Sequence, residues 1–156
     1  LAGCSFGGPV RVDRKAATYS FGEAGSRWAR VQVGPEMAAD HVFAAKGDGA
    51  ILSIGSVCDR YLDSSLEDLA KDLTNPLREV EVGEQTRVPL DGREGLRTDA
   101  KGKLDGVPVE LRTFVIRKDD CLFDFTITAK GALSNDDRRD FERVVSGFRY
   151  SGAAKP

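Results

Sequence analysis

The chain has 156 residues, 40% hydrophobic and 31% charged, with a formal net charge of -2, which suits one globular domain with a sizeable core. That charge supplies no basic field to neutralise phosphates, and no local patch replaces it, so nucleic acid is not the expected partner. No apolar run approaches the roughly 18 residues a membrane-crossing helix needs.

At the start of the chain, Leu1-Ala2-Gly3-Cys4 resembles a bacterial lipobox, the end of a secretory signal whose charged and apolar parts would lie before Leu1. The resemblance implies acylation of Cys4 and attachment to membrane lipid, durable when two or more lipid chains are present. Ser5 stands where an inner-membrane retention signal usually places Asp, so the expected location is the bacterial cell envelope, at the outer membrane. Residues 5–16 carry Gly7, Gly8, Pro9 and mixed charges without sustained periodicity. With the lipobox they read as a flexible tether over 1–16, its reach at most roughly 40 Å.

Of the three Cys, acylation of Cys4 leaves Cys58 and Cys121, an even pair that an exported protein is expected to oxidise. The alternative is two small buried thiols in a reduced protein.

Residues 18–21 read as a short first strand. In 27–33, Trp28, Arg30 and Gln32 alternate with Ala29, Val31 and Val33, the pattern of a strand, with Trp28 covering a sheet face. A weaker strand over 40–46 leads through Gly47-Asp48-Gly49 into a mostly buried strand over 50–58, in which Ala50, Leu52, Ile54 and Cys58 share a parity. Ser64-Ser65-Leu66-Glu67 has the spacing of a capping box, with the Ser64 hydroxyl accepting from the Glu67 amide. The helix it opens places Leu66, Leu69, Ala70 and Leu73 on one stripe and stops at Asn75-Pro76.

Strand character resumes over 78–90, with Gly83 as a bend. A meander follows, with strands over 93–104 and 107–118 joined by Asp105-Gly106, which suits a type I′ turn. A second turn at 118–120 leads to a last strand in which Cys121, Phe123, Phe125 and Ile127 alternate with Asp124, Thr126 and Thr128. The hairpin over 107–130 is the expected centre of the fold, and its Cys121 row the expected floor for both helices. Ser134-Asn135-Asp136-Asp137 caps the second helix, whose stripe is Phe141, Val144, Val145 and Phe148, with Gly147 as terminator. Residues 17–150 thus form one domain, and 151–156 a loose tail.

The parity of Cys58 and Cys121 points both toward an apolar face at a strand end, where the two sulfurs can meet. Closing that loop is worth about 4 kcal/mol in the chain-entropy model. No catalytic constellation emerges. His41 is the single histidine and has no nucleophile or orienting partner at a recognisable spacing. Gly47-Asp48-Gly49 lacks the Lys-Ser/Thr of a phosphate loop, Cys58 and Cys121 lack zinc-site spacing, and Asp119-Asp120 and Asp136-Asp137 read as turn and cap. No enzyme activity, cofactor or metal is therefore expected.

The order of strands, helix, three-strand meander and closing helix resembles the PsbP-like fold, which recurs in small exported bacterial lipoproteins. The residues that carry the likeness are Leu90-Asp91-Gly92-Arg93-Glu94, Leu104-Asp105-Gly106-Val107-Pro108, Val115 to Lys118, Cys121 to Phe125, and Phe141 to Phe148. The resemblance implies an α+β architecture, an antiparallel sheet of six to seven strands flanked by two helices. It supplies no catalytic residues, and the photosynthetic role of PsbP does not transfer with the fold.

The expected function is a non-enzymatic, lipid-anchored binding or assembly module with a protein partner in the envelope. Its contact surface is expected on the sheet face free of helices, where alternation projects Trp28, Arg112 and Phe114. The rival reading is a small-ligand carrier or enzyme with a pocket between sheet and helices. A third, a cytosolic adaptor resembling the Ran-binding members of the fold, requires an accidental LAGC and free thiols.

Overall fold

A computed structural model describes residues 17–47, 49–58 and 63–153; Cys4 and the expected tether lie outside them. The elements run β1 (Ala17–Ser20), β2 (Trp28–Val31), β3 (His41–Ala45), β4 (Ile51–Cys58), α1 (Leu66–Asp72), β5 (Arg78–Leu90), β6 (Arg93–Leu104), β7 (Val107–Lys118), β8 (Cys121–Lys130), α2 (Asn135–Ser146) and β9 (Arg149–Ala153). Seven strands form one sheet in the order β2-β3-β4-β8-β7-β6-β5, and β1 pairs with β9 as a separate ribbon. Every pairing is antiparallel, so the α+β architecture expected from the sequence is the one observed.

Turn chemistry fixes the β5–β8 meander. Asp91 and Gly92 have φ of 51° and 77°, and Asp105 and Gly106 have 50° and 80°; type I′ turns need positive φ at both central residues. The strands close tightly on these turns, with Leu90 opposite Arg93 and Leu104 opposite Val107. Lys118 faces Cys121 across the third turn.

The main core lies between the sheet and α2. Phe123, Phe125 and Ile127 of β8 pack with Leu52 and Ile54 of β4, Phe114 and Ile116 of β7, and the stripe Phe141, Val144, Val145, Phe148. A capping box holds the start of α2: the Ser134 hydroxyl accepts from the Asp137 amide, and the Asp137 carboxylate from the Ser134 amide, both at 3.0 Å. Tyr19 of β1 closes the edge of this core, its ring 4.9 Å from that of Phe123.

Three expectations need correction. First, the helices do not share a floor. Leu69 and Ala70 of α1 pack on Leu96, Val115 and Leu122, which have the opposite parity from the Phe114 and Phe123 rows, so α1 lies on the other side of the sheet. The β7–β8 hairpin is apolar on both faces, and the clean row through Phe123 masked the second one.

Second, α1 is capped one residue later than the box predicts. Ser65 accepts from the Asp68 amide at 3.1 Å, the Ser64 carbonyl takes a hydrogen bond from Arg117 at 2.7 Å, and Glu67 pairs with Arg87 of β5. Third, 151–153 belong to β9, aligned on β1 with Tyr150 opposite Tyr19. The Tyr150 amide donates to Asp91 at 2.9 Å, fastening this strand to the β5–β6 turn.

Cys58 and Cys121 occupy the last rung of the β4–β8 ladder. They form the expected disulfide, with Cα atoms 4.0 Å apart.

Candidate contact surface

Trp28, Arg112 and Phe114 do share a face, but it is the face α2 covers. Trp28 is 6% exposed and its indole N–H donates to the Asp140 carboxylate at 2.9 Å. Phe114 is 1% exposed and meets Phe125 edge-on. Arg112 is half-buried between Asp99, at 2.7 Å, and Glu142 of α2, at 3.0 Å. Strand alternation says which side chains point the same way and leaves open which side a helix will occupy. These three residues therefore seat α2 and present no free surface.

The polar groups around Trp28 extend that seat. Arg27 spans Asp137 and Asp140 at 2.9 and 2.6 Å, and Arg143 bridges Asp140 to the Ala24 carbonyl. Burial raises the Asp140 carboxyl, but hydrogen bonds from Trp28, Arg27 and Arg143 outweigh it and hold the group below the usual carboxylate range. Glycines let the chain before β2 approach: a Cβ on Gly22 would fall 2.1 Å from the Arg143 carbonyl oxygen.

The opposite face is different. Val31, Ile51, Val80, Val82, Leu104 and Val107 are the large hydrophobics at least 37% exposed among the described residues. The register places Val31, Ile51, Val82, Leu104 and Val107 on the α1 side of the sheet, and Val80 lines the same groove as Val82. Helix α1 and the turn after it cover the middle of this side, where Leu77 packs over Gly102.

An apolar groove opens to each flank. One, about 510 Å³, runs between α1 and β5, with Leu77, Val80, Val82, Gln85 and Thr98 on its walls. The other, about 490 Å³, lies at the far end between two turns, with Ile51, Leu104, Val107, Val109 and Thr128 on its walls. Between them a hydroxyl-rich row crosses five strands, Gln85, Thr98, Thr113, Thr126 and Ser53 each facing the next. Gln85 donates to Thr98 at 3.1 Å. Thr98 and Thr113 of that row are buried, so the apolar flanks are the part of this side suited to binding, where burial supplies affinity.

Sequence reasoning missed these residues. Their signal is hydrophobic side chains on the outward parity beside tight turns, Leu104 and Val107 around Asp105-Gly106 and Ile51 after Gly49, where strand ends ordinarily turn polar. His41 has a structural environment: its Nδ1 lies 2.9 Å from Arg30, its ring meets Phe21 edge-on, and burial, then the Arg30 charge, lower its pKa. Among the described residues no group of three or more His, Cys, Asp or Glu could hold a metal.

No family model matches the sequence, and no curated protein matches it. Solved structures do. The chain is similar to cyanobacterial PsbP (CyanoP) from Synechocystis sp. PCC 6803, at 16% identity and a TM-score of 0.58 over 86% of this chain and 92% of that one. It is similar to LpqN, involved in cell envelope biogenesis of Mycobacterium tuberculosis, at 14% identity and a TM-score of 0.55 over 88% and 86%.

The fold is PsbP-like. A protein from Bacteroides thetaiotaomicron VPI-5482 matches at 11% identity and a TM-score of 0.59, over 91% of this chain and 49% of that one. At such identities the likeness carries the PsbP-like architecture alone, and function has to be argued from the surface.

Proposed function

We propose that this chain is a non-enzymatic binding or assembly module of the bacterial cell envelope, anchored to outer-membrane lipid through Cys4, which holds a protein partner on the α1 side of its sheet. The observation that carries the reading is the gathering of the large exposed hydrophobics on that one side. The Cys58–Cys121 disulfide supports an oxidising compartment. The description of LpqN supports the envelope, and the LAGC sequence supports the anchor.

The test uses the lipidated protein in its native membrane. Wild type is expected to fractionate with the outer membrane and to run in detergent as a complex larger than one chain. Cys4→Ser should release it from the membrane, and Ile51→Glu with Val107→Glu should leave it anchored but free of the complex. A wild-type protein that runs as a single chain counts against the binding reading.

A small-ligand carrier is the second reading, favoured by the groove between α1 and β5, where Gln85 and Thr98 meet aliphatic walls. Native mass spectrometry that found a small molecule on the wild type, lost in Val82→Arg, would select it.

A further inference from the structure

The seven-stranded sheet ends at β2 on one side and at β5 on the other. Strand β2 spans four residues and β5 thirteen, so β5 is the long open edge among the described residues. Residues 78–85 of it are all exposed, and Val82, at 53%, is the most exposed large hydrophobic among the described residues. Open edges recruit a further strand, and soluble proteins ordinarily keep them short or polar.

Pro89 shows which main-chain groups are open. It has no N–H and lies in the ladder opposite Glu94, and a proline within a sheet keeps its nitrogen on the free edge. The β5–β6 register runs unbroken from Gln85 to Leu90. Alternation by twos therefore turns the N–H and C=O of Arg87 and Gln85 outward as well. Groups at that spacing are satisfied by another extended chain.

The surroundings of the edge define the chain that fits. A strand laid along β5 sends alternate side chains to the two faces of the sheet. On the α1 side one set meets the groove of about 510 Å³, with Leu77, Val80 and Val82 on its walls, which takes aliphatic groups. On the other side Glu81 lines a cleft whose cations, Lys101 and Arg138, already face Glu110. Between Leu66 and Leu90 six carboxylates stand against three cations, a net charge of -3 in a protein whose whole is -2. Such an edge favours a cationic strand. A second copy of β5 brings the same excess of carboxylates, and the bulges after Arg78 and after Val82 twist the edge against self-pairing.

We propose, resting on the protein-partner reading, that the partner docks by strand addition. An extended segment with aliphatic side chains on one face and Lys or Arg on the other pairs with β5 through the main chain of Gln85 and Arg87, and its aliphatic face fills the α1–β5 groove.

Arg87→Pro tests this, because it removes one outward N–H from an edge that already accepts Pro89. In the native membrane the wild-type complex is expected to be lost in Arg87→Pro. A wild type without a complex removes the partner reading, whereas a complex that survives Arg87→Pro overturns strand addition alone. With the purified full chain the probe is an acetylated, amidated octapeptide of alternating Val and Lys. At saturation it should slow amide exchange at Gln85 and Arg87 about tenfold or more. Arg87→Pro should weaken its binding about fivefold or more, and Arg87→Gln, which keeps the N–H, less than about threefold. A Val-Glu octapeptide should bind at least about fivefold less tightly than the Val-Lys one. Equal binding of the two peptides, no binding, binding without protection at Gln85 and Arg87, or a wild-type dimer that Arg87→Pro dissolves each overturns the proposal. The wild-type exchange and the peptide pair decide the matter even if Arg87→Pro fails to fold.

Discussion

Replacing Cys58 and Cys121 together by Ser leaves neither partner of the bond as a lone thiol and removes one covalent bond from the last rung of the β4–β8 ladder. The two residues are 63 apart in sequence. A loop of that length costs the unfolded chain about 4 kcal/mol of closure entropy when crosslinked, and the double variant gives that freedom back. Domains of this kind are commonly stable by about 5–15 kcal/mol, so a large part of the margin goes. For a chain of this size each kcal/mol moves Tm by about 2–4 °C, which predicts a drop of about 8–16 °C.

Urea unfolding followed by tryptophan fluorescence is the direct assay, because the single Trp28 is buried against Asp140 and reports on the seating of α2. The midpoint should fall with the loss of stability. The m-value should rise modestly, because the uncrosslinked chain unfolds to a more open state. A stability change below about 1 kcal/mol would refute the loop-entropy reasoning, and two alkylatable thiols in the native oxidised protein would refute the bond itself.

Gly22→Ala should destabilise by about 2 kcal/mol or more in thermal melts, since its Cβ would meet backbone of α2 at 2.1 Å and neither chain has a flexible end to move. Asp140→Ala leaves the buried Trp28 indole N–H without its acceptor, while Arg27 keeps Asp137 and Arg143 keeps the Ala24 carbonyl, and should cost about 1–3 kcal/mol in urea melts. Asp140 and Asp137 are both held below the ordinary Asp value of 3.8. Their stability is therefore present above that pH and lost as pH falls through the depressed values, so acid unfolding should begin below pH 3.8 and be milder in Asp140→Asn than in wild type. Ile51→Glu and Val107→Glu, on exposed positions, should each change stability by less than about 1 kcal/mol in the same melts.

Much of the architecture was legible because its determinants are local. The strands over 78–90, 93–104 and 107–118 end where Asp91-Gly92, Asp105-Gly106 and Asp119 adopt positive φ, and those residue types announce the turns. The α2 stripe and its Ser134 cap are likewise written within a few residues. What escaped depends on distant partners. Strand β9 has little pattern of its own, with Gly152 one residue from its end, and exists because β1 lies beside it. The side taken by α1 follows from a second apolar row, Leu96, Val115 and Leu122, thinner than the Phe123 row.

The contact face was misplaced for the same reason. Trp28 and Phe114 carry the larger apolar area and so draw α2 onto their side, leaving Ile51, Leu104 and Val107 to solvent. A large aromatic on a sheet face marks where the core will form more often than where a partner will sit.

The claim that the α1 side is a binding face is tested most directly by photocrosslinking in the native envelope, with the reactive side chain placed at Val107 and, as a control, at Arg139, an exposed site on α2. A discrete crosslinked protein is expected from position 107 and none from position 139. Equal labelling from both positions, or none from 107, would contradict it.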